Sequence, residues 1–265
     1  MARFPNVFSS HVFSSKVGSL IFLVGSQGTA LAKDIVAVAP TALEVLTAAD
    51  RARGSTAVAE GISWRVEVTT SGDDGSNSIS YDLKVKASDA LADAVAPARN
   101  KGEVMLFNDR NIWFFKPGLK KPVAISPRQK LMGQASNGDI ASTNYARDYN
   151  ATMIGTETVD GKQTWKLELK AKEKNVTYDR IRYWISQKDR LGIKAEFLTL
   201  AGEPFKRATF EYKNKMKSEG KELPFVSEMT IIDALNQKNI TKLVYADPKP
   251  AKHPDSIFNV NNLVR

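Results

Sequence analysis

Ile62-Ser63-Trp64-Arg65-Val66-Glu67-Val68-Thr69, the turn Ser71-Gly72-Asp73-Asp74-Gly75-Ser76, and Ile79-Ser80-Tyr81-Asp82-Leu83-Lys84-Val85-Lys86 decide the fold class. In both runs every second residue is apolar and its neighbours are polar or charged. That period of two gives a strand one dry and one wet face, and the glycine- and aspartate-rich turn between the runs makes them a hairpin. Upstream, Pro40-Thr41-Ala42-Leu43-Glu44 opens a helix. Thr41 is its N-cap and Glu44, three residues on, completes a capping box; the helix is expected to run to Arg53 and stop at Gly54.

The strand signal continues downstream of the hairpin. Extended segments are expected at Glu103 to Phe107, Ile112 to Phe115 and Pro122 to Ile125, whereas Ser88 to Arg99 reads as a short helix or a loose strand. Pro127 to Tyr145 lacks alternation and is expected to form loop and short helices. Beyond Met153, Asp160-Gly161 joins Ile154–Val159 to Thr164–Ala171 as a hairpin turn, with Trp165, Leu167 and Leu169 inward. Further strands are expected at Arg180–Ser186, Ile193–Leu200, Phe205–Lys213, Pro224–Asp233 and Ile240–Ala246. The result is an antiparallel meander of about ten strands, large enough to curl. Trp184, Leu198, Leu200, Leu243 and Tyr245 fall opposite the other apolar residues of their strands, which suggests a second covered face.

The first residues set the compartment. Arg3 and Lys16 precede the apolar run Val17 to Val24, and Ala30-Leu31-Ala32 offers the small side chains a signal peptidase accepts. Residues 1–32 read as a signal peptide cleaved after Ala32, leaving 33–265 as one domain. Its loss removes two basic residues from a chain of formal charge +9, and the remaining cations are dispersed among acids along the strands. There is no cysteine, which excludes disulfides, thiol nucleophiles and acylation of an N-terminal Cys. Of the two histidines, His11 lies in the leader and His253 in a Pro-rich segment, so Ser-His catalysis and zinc clusters have little to draw on. No cofactor, no metal site and no nucleic-acid partner is expected.

Several later segments carry a resemblance. Ile112-Trp113-Phe114-Phe115-Lys116-Pro117, Leu131-Met132-Gly133 followed by Asp139-Ile140, Asp148-Tyr149, and Gly155-Thr156-Glu157 with Val159-Asp160-Gly161-Lys162 occur in an order that resembles the LolA-like outer-membrane lipoprotein-sorting proteins. Tyr178 to Ile185 followed by Ile193-Lys194-Ala195-Glu196-Phe197 is similar to a strand pair of that family. Gln134-Ala135-Ser136 departs from it, since the family usually has an acid and an aromatic there. The resemblance implies an unclosed antiparallel β-barrel, or half-barrel, with a helical lid over an apolar cavity.

It also implies a function: a soluble periplasmic carrier, not an enzyme, that shelters a lipoprotein or lipid cargo and passes it from an inner-membrane transporter to an outer-membrane acceptor. A non-catalytic periplasmic sensor, or an accessory subunit of an inner-membrane exporter, is the alternative. The expected inner face comprises Ile62, Trp64, Val66, Tyr81, Leu83, Met105, Phe107, Trp113 and Phe115, with Met132 and Ile140 on the lid. Each of these could equally belong to an ordinary packed core.

Overall fold

The computed structural model describes residues 39–54, 60–73, 75–108, 110–141, 144–218 and 220–264. The expected leader and its cleavage site at Ala30 and Ala32 lie outside the described residues. Helix α1 (Ala42–Arg51) has the expected capping box: the Glu44 amide donates to Thr41 Oγ1 at 3.2 Å, and the Thr41 amide donates to Glu44 Oε2 at 2.8 Å. The helix ends two residues sooner than its sequence suggests, because the Ala52 carbonyl accepts a bond from the distant Val226 amide at 2.9 Å. Gly54 then makes the turn at a positive φ of 95°.

The strands are β1 (Ile62–Ser71), β2 (Asn77–Lys86), β3 (Asp89–Ala96), β4 (Val104–Asn108), β5 (Asn111–Phe115), β6 (Val123–Ile125), β7 (Lys130–Met132), β8 (Ala135–Ser136), β9 (Tyr149–Val159), β10 (Lys162–Ala171), β11 (Arg180–Ser186), β12 (Gly192–Leu198), β13 (Pro204–Glu211), β14 (Asn214–Ser218), β15 (Lys221–Phe225), β16 (Glu228–Asp233) and β17 (Ile240–Pro250). A second, one-turn helix, α2 (Tyr145–Asp148), precedes β9. The sheet has 13 strands in the order β6-β5-β4-β3-β2-β1-β17-β16-β13-β12-β11-β10-β9. Every pairing is antiparallel, and the edges β6 and β9 do not meet, so the barrel stays open. Among the described residues, the strand pairing that joins the two meanders of this sheet is β1 against β17.

The wet and dry faces of the opening hairpin are as the alternation requires. Ile62, Trp64, Val66 and Val68 on β1, and Ile79, Tyr81, Leu83 and Val85 on β2, are all buried on the inner face. The ambiguous Ala-rich stretch is a strand, β3, whose Ala90, Ala92 and Ala94 pack inward, where larger side chains from the adjacent strands take the room. Asp160 (φ 49°) and Gly161 (φ 74°) form the hairpin turn expected between β9 and β10.

Three expectations need correction. Pro224 to Asp233 is not one strand. Phe225 ends β15, which pairs with β14 in a separate hairpin, and its ring inserts against Trp64 at a centroid distance of 5.4 Å. Leu243 and Tyr245 belong to the inner core, since they pair with the inward Val68 and Val66 across β1. Leu200 lies beyond β12 and is exposed.

A second covered face does exist, but it lies under β3–β5. Leu91, Leu106 and Phe115 are buried there against Phe258 and Leu263 of the C-terminal segment, with Val104 and Trp113 beside them. Trp113 and Phe115 therefore face away from the expected cavity. Register decides it: Phe107 lies opposite Ile112 and Met105 opposite Phe114, and directly opposed residues share a face. Met105 and Phe107 point inward, so Ile112 and Phe114 must, and Trp113 and Phe115 cannot.

Candidate functional site

The inner face is filled in the middle and open at one side. Helices α1 and α2 pack over β9 and β11, and Val45, Leu46 and Ala49 are wholly buried there. Around them stand Tyr145, Tyr183 and Phe210, in edge-on contact at 5.6 and 5.9 Å. The Arg53 guanidinium is buried among these rings, 4.5 Å from the centre of Phe210 and 5.3 Å from that of Tyr145. A cation held on aromatic faces recovers part of the hydration it has lost.

Two carboxylates are buried beside this cluster. Asp139 accepts from the Ser136 amide at 2.8 Å and from the Tyr178 hydroxyl at 2.7 Å; burial pushes its pKa up, while Lys206 acts in the opposite sense. Asp50 accepts from the Ala146 amide at 2.7 Å, which ties α1 to α2, and burial lifts its carboxyl to about 7.

The sign of the pH effect follows. Between the ordinary aspartate value near 3.9 and about 7, the folded protein retains a proton that the unfolded chain has released. Stability contributed by this group is greatest below the lower value and declines as pH rises to the upper one. Urea denaturation over this range should show a loss of up to about 4 kcal/mol from Asp50 alone. Asp50→Asn should flatten that slope, and an unchanged slope would rule Asp50 out as its source.

The opening lies where β7 and β8 fold over the β2–β6 side of the sheet. A groove of ≈ 630 Å³ is floored by Ile79 and Tyr81 on β2, Met105 on β4, Phe114 on β5 and Ile125 on β6. Leu131 and Met132 on β7 form its overhanging wall. Volumes of about 300–1,000 Å³ are typical of cavities that engulf a small ligand. Burial raises the Tyr81 phenol pKa well above its ordinary value, so the floor is uncharged at any physiological pH.

The flap is pinned at its tip and at its base. The Gln134 amide donates to Thr241 Oγ1 at 2.7 Å, and Asn137 Nδ2 donates to the Ser126 carbonyl at 3.0 Å. Gly133 (φ 53°) turns the chain between the two short strands, close enough to Thr70 and Thr241 that a larger residue would collide with both. The groove's cover is thus this β-hairpin, while the helices cover the adjoining, filled part of the inner face.

Of the residues expected to line a cavity, Tyr81, Met105 and Met132 do line the groove. Ile62, Trp64, Val66, Leu83, Phe107 and Ile140 are buried in the core on the inner side and lie outside this groove. Ile79, Phe114, Ile125 and Leu131 are groove residues that sequence reasoning missed. Ile79 shares the alternation of Tyr81 and was legible; Phe114 required the β4–β5 register.

Ser63 Oγ and His253 Nε2 lie 3.1 Å apart, the sort of pair hydrolases use. The same nitrogen is 3.3 Å from the Ile62 carbonyl oxygen, which can only accept. A hydrogen bond to that carbonyl requires Nε2 to carry the proton, and in that tautomer the contact fastens the C-terminal segment to β1 and cannot take a proton from the hydroxyl. Among the described residues no cluster of His, Cys, Asp and Glu could hold a metal ion. Among the same residues, no helix is long and apolar enough to cross a membrane.

A family model described as an uncharacterized protein matches residues 86–265, which include most of the sheet and the flap. A LolA superfamily protein from Nitrosomonas europaea is 29% identical over 84% of this chain and 100% of its own, with a TM-score of 0.74. The chain belongs to the LolA-like family. Two further solved structures superpose over the same share of this chain: an outer-membrane lipoprotein-sorting protein domain from Vibrio parahaemolyticus (20% identity, 98% of its length, TM-score 0.70) and a DUF1329 family protein from Desulfovibrio piger (18%, 97%, 0.68). No curated protein matches the sequence. The open antiparallel sheet is as the sequence resemblance implies.

Proposed function

We propose that this LolA-like protein is a periplasmic carrier that takes the acyl chains of a lipoprotein or lipid into the groove beneath the β7–β8 flap and delivers them towards the outer membrane. The observation that carries this reading is the groove itself: ≈ 630 Å³ between the flap and the sheet, with apolar side chains from four strands and the flap on its floor and wall and polar ones around them. Hydrocarbon gains about 0.8 kcal/mol per methylene on leaving water, so a chain of about 14 carbons gains roughly 11 kcal/mol. A lipid leaves a bilayer only for a comparable surface, and the protein needs no reacting group to provide one. An inner-membrane donor and an outer-membrane acceptor would complete the route. The reading also requires export, with residues 1–32 as leader and a mature chain starting at Lys33, which N-terminal sequencing of the periplasmic protein would test.

The purified protein should bind a fluorescent fatty acid at micromolar concentration, and a non-fluorescent fatty acid should displace it. Mass spectrometry of organic extracts from protein isolated from its native compartment should find acylated material. A folded sample that binds no acyl probe would refute the carrier reading.

A further inference from the structure

Along most of the sheet, basic residues stand opposite acids. Arg65 meets Asp82 at 2.7 Å, Lys84 meets Asp93 at 2.7 Å, Lys242 meets Glu228 at 2.9 Å, and Arg180 pairs with Glu168. The mouth of the groove breaks that pattern. Arg99 and Lys130 line the groove itself, and both are exposed. Beside them are Lys101, in the turn between β3 and β4, and Lys116, Lys120 and Lys121, in the loop between β5 and β6, all exposed.

These two connections touch. A Cβ placed on Gly102 would lie 3.0 Å from Pro117 Cγ, so their lysines emerge from one end of the sheet. None of the six cations forms an ion pair among the described residues. The one acid lining the groove, Glu103, is half-buried and accepts a bond from Asn100 Nδ2 at 3.0 Å. Hydrocarbon below and unanswered positive charge at the rim form an amphiphilic site, and charge of one sign at a mouth concentrates ligands of the other.

We propose that the preferred occupant is an anionic amphiphile, whose acyl chain enters the groove while a phosphate or carboxylate head group rests among Arg99, Lys130 and the neighbouring lysines. This rests on the carrier reading and narrows it: a neutral lipid would satisfy the floor but leave the rim unused, and a zwitterionic one would set its own ammonium against the rim's cations. Arg99 and Lys130 are the discriminating residues, because of the six they are the two that line the groove.

The test compares the full chain's affinity for fluorescent phosphatidylglycerol and fluorescent phosphatidylcholine with identical acyl chains. Phosphatidylglycerol should bind about tenfold more tightly at low ionic strength. The gap should close in about 1 M salt, where the screening length falls to about 3 Å. The double variant Arg99→Gln/Lys130→Gln should lose most of the preference while keeping its affinity for phosphatidylcholine and its melting temperature. Inorganic phosphate at millimolar concentration should compete weakly, since it lacks the chain. Equal affinities for the two lipids, or a preference that survives the double variant, would overturn the head-group proposal alone. Failure of both lipids to bind would instead remove the carrier reading and this proposal with it. Strong binding of inorganic phosphate by itself would reassign the rim to a free-anion site and overturn the proposal.

Discussion

Gly192→Val should cost at least about 3 kcal/mol of stability or prevent folding outright. Gly192 opens β12 opposite Ile185, and the Tyr183 ring lies across it. A Cβ at 192 would overlap the Tyr183 hydroxyl oxygen and Cζ and come 2.7 Å from Cε2. The ring cannot step aside: Tyr183 is fully buried and wedged edge-on between Tyr145 and Phe210. The backbone at 192 has no positive φ, so the demand for glycine here comes from space and not from conformation. Urea melts should therefore show Gly192→Ala as clearly destabilised and Tyr183→Phe as partly relieving it, because the phenolic oxygen is the atom most in the way. A Gly192→Val protein that melts within a few degrees of the wild type would disprove this account of the packing.

Ile125→Glu combined with Leu131→Glu should abolish acyl binding, lowering affinity for a fatty-acid probe by about a hundredfold or more, with the fold intact. Both residues line the groove and both are only half-buried, so the apo protein can hydrate the new carboxylates. An acyl chain arriving in the groove would strip that water, and stranding a charge against methylenes costs several kcal/mol. A hundredfold is about 2.7 kcal/mol, well within that penalty. Probe titration alongside circular dichroism checks the outcome; unchanged affinity would place the hydrocarbon somewhere other than this groove.

How much of this could be read beforehand depended on whether a strand had one apolar face or two. β1 and β2 alternate cleanly, so Trp64, Tyr81 and Leu83 were placed on the right side from spacing alone. Thr41 with Glu44, and Asp160 with Gly161, were legible because caps and tight turns are local chemistry. Ile112-Trp113-Phe114-Phe115 is apolar throughout, and period two has no contrast to work with; only the partner strand β4 chooses its inner pair.

Trp184 was correctly set opposite Ile181, Tyr183 and Ile185. It is covered on the outer face by Lys194 and Lys166, whose nitrogens lie 4.4 and 4.9 Å from its ring, and its indole N–H donates to Glu157 at 3.0 Å. The cavity residues were the least legible. Whether Trp64 lines a hollow or fills one is decided by Phe225, from a hairpin far away in the chain, and no local pattern encodes that meeting. The groove survives where no such plug arrives.

Because Ile62–Ser71 takes its second neighbour from Ile240–Pro250, the earliest strand waits for the latest. Until that last segment is available, each meander is a sheet fragment with a raw edge, and long-range closure of this kind is intrinsically slow. A polypeptide wired in this way cannot complete its sheet until its tail is present, so loss of the last strand would expose the inner hairpin to strand-pairing with other chains.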